Sequence, residues 1–119
     1  MQREPRAFIE DIVTSCDAIA ADVAGLDVEF YLSNRTVRSA VEREFMIIGE
    51  AINYLGDIAP ALFLRITQGR TIVDFRNQLA RGYMTVSDRL VWGYAVREAP
   101  LLRDECAQLL AEIDAGRAD

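Results

Sequence analysis

Apolar residues recur along this chain at steps of three, four and seven, and the alternation of a strand holds over no useful length. From about Pro5 to Val23, Phe8, Ile9, Ile12, Cys16, Ile19, Ala20 and Val23 share one side of a helix. Gly25 suits the residue that closes it, and Leu26 to Asn34 reads as a connection with room for one helical turn. A second helix is expected from Ser33 or Asn34, both good N-caps, to Leu55, with Gly56 just past its end. This helix carries two apolar stripes, Val37, Val41, Phe45, Ile48, Ile52 and Leu55 on one face, and Ala40, Ile47, Ala51 and Tyr54 on another. Such a helix sits at the centre of a bundle or divides itself between the core and a subunit interface.

Pro60 suits the first turn of a short helix through Leu64, and Gln68-Gly69-Arg70 reads as a turn. Thr71 to Asp74 matches a capping pattern, which would open a helix from Ile72 to about Tyr83. Ser87 and Asp88 should start the next helix, Arg89 to Glu98, and Pro100 either kinks it or begins another reaching Asp114. Leu102, Cys106, Leu109 and Ile113 supply the last stripe. The expected fold is all-α, four or five helices in an antiparallel bundle, with residues 1–119 forming one domain.

Composition supports a folded chain: 51% of the 119 residues are apolar and 27% charged, which is not the signature of disorder. Cys16 and Cys106 stand far apart with no CxxC, no leader pattern precedes the first helix, and no apolar run approaches the ~18 residues of a membrane span. The expected compartment is a reduced cytoplasm, with both thiols buried on helix faces. The complete absence of histidine removes His-based zinc sites, serine triads and Cys-His pairs. No dense spacing of carboxylates suggests a metal, so neither metal nor cofactor is expected.

A net charge of −6 argues against an extended, passive binder of nucleic acid. Its distribution changes that picture. Between Arg65 and Arg89 five arginines face two aspartates, so the stretch is +3 and the remainder −9. Within it, on a wheel of about 100° per residue, Tyr83 falls about 20° from Arg76, Asn77 about 100° and Arg81 about 140°. These four polar groups share one broad arc, while Ile72, Phe75 and Leu79 lie beside it and would dock the helix to the core.

The run Arg76-Asn77-Gln78-Leu79-Ala80-Arg81-Gly82-Tyr83 resembles the Arg-x4-His-x-Tyr motif of the HEPN superfamily, specifically the HepT-like toxins (DUF86). The resemblance extends over most of the chain, through Asp11-Ile12, Val41, Glu42-Arg43, Ile48-Gly49-Glu50-Ala51 and Trp92 ahead of Pro100-Leu101-Leu102. It implies a homodimeric, metal-independent endoribonuclease whose cleft lies near the dimer interface. It also implies a partner antitoxin of the minimal nucleotidyltransferase type, which transfers AMP from ATP to the motif tyrosine, here Tyr83. Arg76 and Asn77 take the places of the family's arginine and its polar neighbour.

The family's histidine is replaced by Arg81. Metal-free RNA cleavage needs a group that takes a proton from a ribose 2′-hydroxyl or returns one to the leaving oxygen. A guanidinium with a pKa above ~12 cannot be that base, although it can hold a phosphate through two hydrogen bonds. Losing such acid–base catalysis typically costs roughly 100- to 10,000-fold, so the chain is expected to bind RNA or nucleotide and to cut poorly or not at all. Two origins fit Arg81, a natural member without catalysis or a variant substituted or selected so that a host survives making it. Glu50 interrupts the apolar run Phe45 to Ile52, and either pairs with Arg76 or Arg81 in the cleft or stands on an exposed edge. Trp92, Tyr94 and Tyr54 read as core or interface aromatics.

Overall fold

In the computed structural model, which describes residues 3–82 and 86–116, the described residues form helices and turns and contain no strand. The first helix, α1 (Pro5–Val23), has proline in its first turn and ends ahead of Gly25, as its periodicity predicts. The connection that follows holds a short helix, α2 (Val28–Ser33), because Asp27 accepts from the Phe30 N–H at 2.9 Å and caps it. Asn34 does the same for α3 (Arg35–Ile58), accepting from the Val37 N–H at 3.0 Å. Here the expected end is corrected: α3 runs straight through Gly56 to Ile58. What stops it is the extended Ala59 (φ −148°) forced by Pro60, which opens α4 (Pro60–Phe63).

The start of α5 (Gly69–Ala80) is also corrected. Thr71 is not its cap, since the Ile72 N–H already bonds the Gln68 carbonyl at 2.9 Å. The entry is fixed from a distance instead: the Glu105 carboxylate accepts the Thr67 N–H at 2.8 Å and its hydroxyl at 2.7 Å. Ser87 caps α6 (Asp88–Gly93) through the Leu90 N–H, as expected.

A π-helical turn, Tyr94–Glu98, joins α6 to α7 (Ala99–Asp114) without a break. Pro100 has no N–H to continue an α ladder, and the wider turn ahead of it closes through the Ala99 N–H on the Tyr94 carbonyl. The wider turn also keeps Val91, Ala95 and Ala99, two steps of four, on one buried face.

Pairs along the helices show how they stack. Phe8 near the start of α1 meets Tyr54 near the end of α3, Arg6 meets Asp114 at the end of α7, and Asp17 meets Arg103 at its start. Both neighbours of α1 are therefore antiparallel to it. Helix α3 lies between α1 and α5, and one continuous core joins Ile9, Ile12 and Ile19 to Phe45, Ile48, Ile52, Phe75, Leu102 and Leu109. Each such side chain contributes roughly 1.5–3 kcal/mol on burial. The all-α antiparallel bundle expected from the pattern is the fold found. Among the described residues no helix is long and apolar enough to cross a membrane.

Candidate functional site

Helix α5 is held by its apolar side. Ile72, Val73 and Phe75 are buried, and the Phe75 ring stacks on Tyr94 at 4.2 Å between centroids while meeting the edge of Phe45 at 5.2 Å. Leu79 packs half-buried beside them, so the docking face is the one the wheel predicts. This also places Tyr94 in the core, and Trp92 packs on the buried Tyr31 at 5.2 Å, whereas Tyr54 is 48% exposed.

Arg76 emerges next to that face, half-buried against α3. Its aliphatic stem crosses α3 at Gly49, where a side chain would occupy the space of Arg76 Cβ and Cγ. Arg76 Nη1 donates to Asn77 Oδ1 at 3.0 Å, while Nε is buried with no hydrogen-bond partner among the described residues. One edge of the guanidinium is thus tethered and the other lacks an acceptor.

Arg81 stands just past the helix as its C-cap, exposed, its N–H on the Asn77 carbonyl at 3.2 Å. Gly82 then takes the left-handed conformation, φ +66°, that ends many helices. The periodicity that was expected to carry the arc to Tyr83 therefore stops at Ala80, and Tyr83 itself lies outside the described residues.

Glu50 departs from the expected bridge. It is exposed, makes no ion pair with Arg76 or Arg81, and lines a groove between α1 and α3 with Arg3, Phe8, Asp11, Ile47 and Tyr54. The reason is angular: Gly49 occupies the position facing α5, and the next residue points about 100° away. A solvated carboxylate needs no buried partner, so the apolar run is interrupted at no cost.

The arginines of the basic stretch differ in their partners. Arg65 pairs with Glu112 at 2.7 Å, Arg89 with Glu29 at 3.2 Å, and Arg70 lies over the Phe63 ring at 5.7 Å. Like Arg70, Arg76 and Arg81 have no carboxylate within ion-pair distance among the described residues, and these two place positive charge in the second half of α5 and just past its end. No three Cys, Asp or Glu gather there or elsewhere among the described residues in a way that would hold a metal.

A second polar cluster, absent from the sequence reading, ties α6 back to α3. Arg38 Nε lies 3.5 Å from Asp88 and its Nη1 donates to the Leu32 carbonyl at 2.6 Å. Burial pushes the neighbouring Glu42 carboxyl up, Asp88 adds to the shift, and Arg38 opposes it. Tyr31, whose phenol burial also pushes up, completes the group with a hydroxyl that has no partner among the described residues. Only the cap at Ser87-Asp88 was legible; Arg38 and Glu42 carry no local pattern that points to each other.

Residues 9–109 match the family model described as Ribonuclease HepT-like. The chain is similar to a protein of Methanocaldococcus jannaschii provisionally named an RNase, 27% identical over 87% of this chain and 94% of that one. It is also similar to a protein of Caldanaerobacter subterraneus subsp. tengcongensis named in the same way, 25% identical over 91% and 96%. No solved structure matches it.

Proposed function

This chain belongs to the ribonuclease HepT-like family, and from that premise we propose that it is the toxin half of a toxin–antitoxin pair, an RNA-cutting site that Arg81 has disarmed. The observation that carries the reading is Arg76, fixed over α3, tethered to Asn77 and without an acidic partner among the described residues. That arrangement suits one non-bridging pair of phosphate oxygens, with Asn77 orienting the guanidinium. Cleavage without a metal then needs a proton removed from the 2′-hydroxyl as its oxygen attacks phosphorus, and a proton delivered to the departing oxygen. Arg81 stands where the family's histidine would do this, and its guanidinium holds charge without exchanging a proton near neutral pH.

The partner in this reading is a minimal nucleotidyltransferase that moves AMP from ATP to the Tyr83 hydroxyl, in the cytoplasm. Two copies of the chain pair across the outer face of α3, where Tyr54 and Ile47 edge a groove of about 420 Å³. Sedimentation of the purified chain checks the pairing, and a monomer at micromolar concentration would remove it.

The deciding assay compares RNA cleavage and host growth for this chain and its Arg81→His version, each with and without Tyr83→Phe. Histidine should restore cleavage by roughly 100-fold or more and make expression toxic. A harmless, inactive Arg81→His protein would favour the second reading, which Arg81 itself supports: a non-catalytic dimer that binds the nucleotidyltransferase, nucleotide or RNA without cutting.

A further inference from the structure

The crossing of α3 and α5 places a residue with no side chain beneath the stem of Arg76. A Cβ at position 49 would overlap Arg76 Cβ and Cγ. The Arg76 Cβ is set by the α5 backbone, so no rotamer change relieves the overlap with it, and the helix would have to rise or roll. Rolling is opposed by the stack of Phe75 on Tyr94 and by its edge contact with Phe45 of α3, which hold α5 beside the crossing. The overlap would therefore fall on the groups that are held least, the guanidinium and its single hydrogen bond to Asn77.

We propose that Gly49 is a positioning residue of the phosphate site, acting through Arg76: it lets α5 approach α3 closely enough to seat the arginine stem and fix the direction of its guanidinium. This rests on the reading of Arg76 as the phosphate-holding group. Elsewhere in a helix, alanine in place of glycine stabilises, so a loss at this position marks the crossing and not helix propensity.

The test uses the full chain with three measurements. Binding of a fluorescein-labelled single-stranded RNA oligonucleotide is measured for wild type, Gly49→Ala, Arg76→Ala and the double variant. Each single change should weaken binding on the order of tenfold or more, and the double no further than the weaker single, since Gly49 has nothing to position once the guanidinium is gone. An equal additional loss in the double variant overturns the proposal. In ¹⁵N spectra of the arginine side chains, the Arg76 Nε–H signal, assigned by its disappearance in Arg76→Lys, should move in Gly49→Ala; an unmoved signal overturns it as well.

Where Gly49→Ala fails to fold, Gly49→Ala with Arg76→Gly keeps the new Cβ but removes the Cβ and Cγ it would meet, and should restore the thermal transition. No recovery places the fault elsewhere and ends the proposal. Should wild type itself bind no RNA, the phosphate reading fails, while the nitrogen spectra and the rescue still decide whether Gly49 seats Arg76.

Discussion

Arginine at position 81 changes one chemical property and leaves others in place: it keeps a cation at the end of α5 and removes a proton carrier. Under the proposed function, that combination would separate affinity from turnover at this site. Glu42 shows a different effect of environment on a single group. Its folded carboxyl lies above the ordinary value of 4.5, chiefly through burial, so the folded state holds its proton more tightly than the unfolded one. The sign follows directly: the stability linked to Glu42 is present in full below the ordinary value and is lost as pH rises through the folded one. Glu42→Gln should therefore raise the thermal transition at pH 7, with the gain shrinking as pH falls toward 4.5; a gain independent of pH would refute this, as melts at several pH values would show. Burial also pushes Cys16 and Cys106 up to about 12, which makes both structural thiols and not reactive ones.

Among the elements, α1 and α7 were legible nearly to the residue, because long amphipathic stripes and prolines mark them. Helix α5 was legible in its docking face but not in its ends. Thr71-x-x-Asp74 has the form of a cap, yet the helix begins at Gly69 because Glu105, 38 residues away from Thr67, supplies the acceptor. No local pattern announces such a contact. Glu105→Ala should cost about 1–3 kcal/mol, whereas Thr71→Ala should be near neutral; chemical denaturation of the two variants checks the order, and a reversed order would reinstate the local cap. The Glu50 bridge failed for a related reason. The run of apolar letters around it does not reveal that a glycine takes the inward position and turns the carboxylate to solvent.

For the whole molecule, a net charge of −6 with two arginines near one helix end that have no carboxylate partner among the described residues bounds how RNA would be held under the proposed function. Two phosphates neutralised on a single strand give a slope of about −1.4 in log affinity against log salt. A measured slope several times steeper would mean a basic track that these arginines do not form. Length is also a property of the whole chain, and the π-helical turn bears on it. That turn spends one more residue than an α-helix needs to cover the same rise, and it does so immediately before Pro100. Removing the exposed Val96 would close the turn into a regular helix and leave proline facing an occupied carbonyl, at a cost of about 3 kcal/mol. With Pro100→Ala the shortened chain should melt close to the original. Related chains one residue shorter between Gly93 and Leu102 are therefore expected to lack the proline too: at this point in the fold, gaining a residue and gaining a proline are one event.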